Sequence, residues 1–135
     1  MKTSFLSLCL LFLAACSALK PGADPLVIRA EQTETIAKST FDATLGIDHA
    51  DRGFWRTNAP AFHGFCEWLR VLQPINARGD TMPRASAMIY SLDVVKRDYQ
   101  VSKSSSNAVY SAIATLLSAV NQATGWIMVA TNNPH

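Results

Sequence analysis

The residue types best able to do chemistry together are His63, Cys66 and Glu67, in the run His63-Gly64-Phe65-Cys66-Glu67. On a helix, His63 and Glu67 stand one turn apart with Cys66 beside them, so three metal-ligating side chains share a face. A tetrahedral zinc site needs a fourth group, and His49 or Asp48 upstream offers one. Neither a CxxC pair nor an HExxH motif accompanies them. The opposing expectation is that His63 and Glu67 face water while Phe62, Phe65, Cys66 and Leu69 face a core.

A second patch is Asp48-His49-Ala50-Asp51-Arg52, followed by Arg56. Asp48, Arg52 and Arg56 fall at helical spacing, which reads as a solvated face with a surface ion pair worth about 0.3 kcal/mol. Catalysis by His49 and Asp48 requires a nucleophile and an oxyanion site, and no residue pattern nominates either. The expectation is therefore a protein that is not an enzyme and holds no cofactor. A third patch crowds Phe54, Trp55, Phe62, Phe65 and Trp68 into one short stretch. These rings either plug the open end of a helical bundle or form a candidate interaction surface.

The elements that must position these groups are helices. Asp24-Pro25 is a helix start, with Asp as N-cap and Pro at the first helical position. Val27, Ala30, Glu34, Ala37, Phe41 and Thr44 then alternate at spacings of three and four, predicting a helix from Pro25 to Ala50 and on towards Trp55. Pro60 opens a second, shorter helix that stops before Pro74. Residues 76–80 read as a loop, after which Asp80 or Thr81 is expected to cap a third helix with Pro83 in its first turn.

From Ala85 to Ile127 one three-four phase persists through Met88, Leu92, Val95, Tyr99, Ser102, Ser106, Val109, Ile113, Leu116, Val120 and Ala123. The serine cluster Ser102-Lys103-Ser104-Ser105-Ser106-Asn107 interrupts its composition but not its phase, so the pattern predicts one long C-terminal helix. The alternative is two helices folding back at the serines, since serine favours caps and turns. Trp126-Ile127-Met128-Val129 is the only strand-like run, and residues 131–135 form a tail expected to fray. The fold expected is all-α: an elongated helical hairpin or small helical bundle forming a single domain over residues 24–130.

The chain opens with Lys2 followed by an uncharged run from Phe5 to Ala15. Such a run spans about 16 Å as a helix, half the hydrocarbon core of a bilayer, so it suits the apolar segment of a signal peptide and not a transmembrane anchor. It ends in Leu13-Ala14-Ala15-Cys16, which resembles the lipobox of bacterial lipoproteins. The resemblance implies that the Cys16 thiol takes a diacylglycerol, that residues 1–15 are removed, and that residues 16–23 tether the domain to a membrane. In a Gram-negative cell, Ser17 after the cysteine resembles the pattern of outer-membrane sorting, which implies a periplasm-facing location. The competing expectation is ordinary secretion, with cleavage after Ala18.

Loss of Lys2 with the signal takes the formal charge from +2 to about +1, which leaves no basic field for nucleic acid. Cys9 leaves with the signal and Cys16 takes lipid, so Cys66 is the one remaining thiol and no internal disulfide can form. The stretch from Asp24-Pro25-Leu26-Val27 to Phe41-Asp42, with Phe54-Trp55-Arg56, is similar to small uncharacterised helical proteins of bacteria and their phages; that resemblance carries over no functional residues. The leading expectation is a membrane-tethered lipoprotein with a structural or protein-interaction role, its partner another protein or a second copy along the helical seam. The alternatives are a phage-encoded envelope protein of lysis or superinfection exclusion, and a secreted bundle binding a small ligand or metal.

Overall fold

The computed structural model describes residues 23–132. The export segment, Cys16, most of the tether and the end of the tail lie outside them. Within them the chain is all-α apart from one small hairpin: α1 (Pro25–Ala50), α2 (Arg52–Asn58), α3 (Pro60–Arg70), β1 (Leu72–Pro74), β2 (Thr81–Pro83), α4 (Arg84–Gln100) and α5 (Ser106–Thr131).

α1 starts where its residues dictate. Pro25 occupies the first turn, and Asp24 Oδ1 accepts from the Leu26 N–H at 2.8 Å, satisfying one of the orphan donors at a helix start. It does not run on to Trp55. Asp51 leaves helical geometry at φ −154°, donates its N–H to the Asp48 carbonyl at 3.3 Å, and accepts from the Phe54 N–H at 3.1 Å. One aspartate thus ends α1 and caps α2, a local competition with the helix that Asp side chains are built to win. Pro60 opens α3 as its type predicts.

The third helix begins later than the sequence suggests. Thr81 and Pro83 pair with Pro74 and Leu72 in a two-stranded antiparallel ladder, and α4 begins at Arg84 without a side-chain cap. The loop between the strands is held by Asn76 Oδ1, which accepts from the N–H groups of Arg78 and Asp80 at 3.0 and 3.2 Å. Gly79 sits there at φ +89°, a conformation glycine adopts without a Cβ clash. Prolines are tolerated in both strands because each strand has a free edge.

The chain does end in a long helix, the 26 residues of α5, but that helix does not run unbroken from Ala85: the chain turns back at the serines. Ser102 takes φ +60°, its N–H bonds the Tyr99 carbonyl at 3.1 Å, and the Lys103 N–H bonds the Asp98 carbonyl at 2.7 Å. Those two bonds make a Schellman termination, with serine where glycine is usual. Three residues later Ser105 Oγ accepts from the Ala108 N–H at 3.1 Å and starts α5. The unbroken phase was carried across the joint by Ser102 and Ser106, and both are exposed. No packing force maintained it there.

α1, α4 and α5 pack against one another along their lengths, with α3 against α1 and α4. α1 contributes Ala30, Thr33, Ala37 and Phe41 to the core, α4 Ala85 and Leu92, and α5 Val109, Ile113, Leu116, Val120 and Ala123. Burying each large aliphatic or aromatic side chain contributes about 2 kcal/mol, before the conformational entropy it loses. Trp126 to Val129, the strand-like run, lies inside α5, which extends through Thr131. α5 carries no charged residue, and by length and composition alone it could cross a bilayer; in the bundle its buried stripe faces α1 and α4.

Candidate functional site

The residues singled out from sequence converge on the crossing of α1 and α3. Asp48, on the last turn of α1, is 0% exposed. Its Oδ1 meets His63 Nδ1 at 2.7 Å and its Oδ2 accepts from Arg70 Nη1 at 2.7 Å. Arg70 Nη1 also reaches Glu67 Oε1 at 2.6 Å, and Nη2 reaches the Leu45 carbonyl at 3.5 Å. His63 Nε2 lies 3.9 Å from Glu67 Oε1. The spacing of α3 produces this: His63, Glu67 and Arg70 fall on one face, and that face lies over the end of α1.

A buried carboxylate is costly unless paired, and Asp48 has two charged or polar partners from another helix. Burial pulls the Arg70 guanidinium down, but its bonds to Asp48 and Glu67 outweigh this and hold it above its usual value. The expected split of α3 holds for Glu67, which is exposed, and for Phe62, Cys66 and Leu69, which are buried; the solvated Asp48–Arg52 pair does not form. Asp48 faces inward, and its partners are His63 and Arg70, not Arg52. His63 does not simply face water, since it anchors the same carboxylate.

The metal-ligand set is likewise redrawn. Asp48, His63 and Glu67 each offer a ligand atom within 4.8 Å of the others. Cys66 is turned away: it is buried, and its thiol donates to the Thr44 carbonyl at 3.7 Å. Burial, followed by the charge of Asp48, pushes that thiol up to about 12, so it is a poor ligand or nucleophile near neutral pH. His49 is exposed and outside the cluster. Arg70 already bonds both carboxylates, so a divalent cation would have to displace a guanidinium.

The five aromatic candidates divide in two. Trp55 and Phe62 are buried, 5.1 Å apart between ring centres and edge to face, so they seal the bundle end and present no contact surface. Trp55 also donates its indole N–H to the Ile47 carbonyl at 3.0 Å. Phe54 and Phe65 are half-buried. Trp126 joins them from α5, 6.3 Å from Phe62 and 6.4 Å from Phe65, a partner that proximity in sequence does not reveal.

Trp68 is the exposed member, at 39%. It stacks on Phe65 at 5.6 Å, and the Arg84 guanidinium sits 4.6 Å above its ring while donating to its carbonyl at 2.8 Å. Exposed Val71 and Leu72 follow it, and it borders a groove of about 630 Å³ floored by Met88, Leu92 and Leu116.

A second charged cluster, not foreseen, ties α4 to α1. Lys96 is 7% exposed and reaches Asp93 at 2.9 Å, Glu34 at 3.1 Å and Glu31 at 3.7 Å. Burial lowers the Lys96 ammonium, but its hydrogen bonds to Asp93 and Glu34 outweigh this and raise it. Burial raises the Glu34 carboxyl despite Lys96, and among the described residues Glu34 Oε1 is buried without a hydrogen-bond partner. Alternation had assigned Glu34 to the helix stripe, but residues far apart in sequence supply its partners.

Comparison of the chain with protein-family models, curated proteins and solved structures finds no match.

Proposed function

We propose that this chain is a membrane-tethered helical lipoprotein, not an enzyme, with a structural or protein-interaction role. The observation that carries the reading is the placement of Leu13-Ala14-Ala15-Cys16 just ahead of a bundle whose first helix is capped by Asp24. A lipidated cysteine, a short spacer and a folded domain follow in the order a tethered protein needs. Several acyl chains on one residue hold firmly, at about 0.8 kcal/mol per buried methylene. The exposed Trp68, with Arg84 over its ring, supports a contact role, because tryptophan and arginine are enriched where interfaces concentrate their binding energy.

Radiolabelled palmitate supplied to a bacterial host tests the tether. Label should enter the native chain and be lost in Cys16→Ala. Absence of label from both would overturn the reading in favour of ordinary secretion.

One observation favours a second reading, a metal-binding bundle: the ligand atoms of Asp48, His63 and Glu67 lie together. Purified domain incubated with zinc and desalted should carry stoichiometric metal on that reading, and none if Arg70 keeps the carboxylates.

A further inference from the structure

The bundle has two chemically different ends, and the tether reading above determines which of them meets the lipid. Seven residue steps separate Cys16 from Ala23, a reach of about 25 Å when fully extended. α1 alone, with 26 residues, is about 39 Å long. The tether is therefore shorter than the bundle, and the end that carries Asp24 stays beside the membrane.

That end is built from the start of α1, the end of α4 and the turn into α5. Tyr99 Oη donates to Asp24 Oδ2 at 2.6 Å, joining α4 to the point where the tether enters. Val101 is 63% exposed and Tyr110 is 50% exposed. Lys103 is exposed and forms no ion pair among the described residues. Of the acids nearby, Asp24 is engaged by Tyr99 and the Leu26 N–H and Glu31 by Lys96, while half-buried Asp98 on the last turn of α4 forms no ion pair among the described residues. Tyrosine rings, one exposed aliphatic and an unpaired lysine are the residue types that favour the headgroup layer. The opposite end holds the aromatic seal of Trp55, Phe62 and Trp126, with Trp68 and Arg84 outside it.

We infer that the turn Val101-Ser102-Lys103, with Tyr99 and Tyr110, docks on the phospholipid headgroups beside the Cys16 anchor. The bundle then stands steeply on the bilayer and presents Trp68 and Arg84 away from it. The inference rests on the proposed tether. Lys103 meets lipid phosphate, and the Schellman bonds across Ser102 keep the turn compact against that surface.

The test uses the full chain, lipidated in a bacterial host and reconstituted into vesicles of phosphatidylethanolamine and phosphatidylglycerol. Single exposed cysteines, Asn107→Cys near the turn, Ser118→Cys midway along α5 and Arg78→Cys in the hairpin loop, take a fluorophore. Buried Cys66, with its thiol near 12, stays unlabelled. A nitroxide on the lipid headgroup should quench the label at 107 several-fold more than those at 118 and 78, and Lys103→Glu should reduce quenching at 107.

Equal quenching at 107 and 118 would overturn the inference by showing the bundle flat on the charge-free face of α5. Strongest quenching at 78, or none anywhere on floating vesicles, would overturn it too. Each of these outcomes leaves the tether intact. A chain that fails to float with vesicles overturns the tether itself, and the docking with it.

Discussion

Arg70→Ala should destabilise the bundle far more than an ordinary surface substitution. Asp48 is fully buried, and the change removes one of its two partners while leaving the carboxylate inside. Stranding a buried charge in this way costs about 3–5 kcal/mol. Two features lower the figure: His63 still holds Oδ1, and the Arg70 side chain is 23% exposed, so solvent screens part of its interaction. The expected loss is about 2–3 kcal/mol, or roughly 10 °C in Tm for a domain of this size. Urea denaturation of the chain from Ser17, with wild type, Asp48→Ala, Arg70→Ala and the double variant, reads both the loss and the coupling. Removing Asp48 first should make the Arg70 substitution cheaper by about 2 kcal/mol. Arg70→Ala within about 0.5 kcal/mol of wild type, or strict additivity, would refute the idea that the junction is a buried ion pair holding α3 on α1.

Other consequences can be checked on the same material. Ser102→Gly should stabilise by about 0.5–1 kcal/mol, because glycine takes positive φ without the strain serine bears, while Ser105→Ala should cost about 1 kcal/mol of α5 capping; urea midpoints moving the other way would count against the turn. Cys66 should resist a thiol reagent at pH 8 in the folded chain and react on unfolding, since its thiol lies near 12; prompt labelling of native protein would place it at the surface.

Glu34 gives a pH dependence. Its folded carboxyl is raised above the ordinary 4.5, so the stability it confers is present below 4.5 and lost as pH rises through the higher folded value. Glu34→Gln, which mimics the protonated form, should match or exceed wild type in stability at pH 7. That advantage should vanish as pH falls towards 4.5. An advantage that grew on acidification would contradict the assignment.

Local signals were legible and long-range ones were not. Asp24, Pro25 and Pro60 announce their helix starts because a cap or a fixed φ acts within one turn. The core stripe of α5, from Val109 to Ala123, follows from periodicity because that face packs against two neighbouring helices. The sequence offers Asp48 as a fourth group beside His63 and Glu67, but its ion pair with Arg70 is not legible, because helical spacing gives it only Arg52 whereas Arg70 lies twenty-two residues away on α3. Asp51 and Ser102 end helices through backbone hydrogen bonds that any periodicity count passes over. Cys66 looked like a ligand beside His63 and Glu67, but the crossing of α1 and α3 takes their side chains one way and its thiol another. Lys96 gave no signal at all, since a lysine on a helix is usually solvated.

Intact mass spectrometry of protein purified from a bacterial membrane tests the proposed tether most directly. A tethered protein should begin at Cys16 and carry diacylglycerol and acyl groups there. A soluble, unmodified chain beginning at Leu19 would contradict the tether.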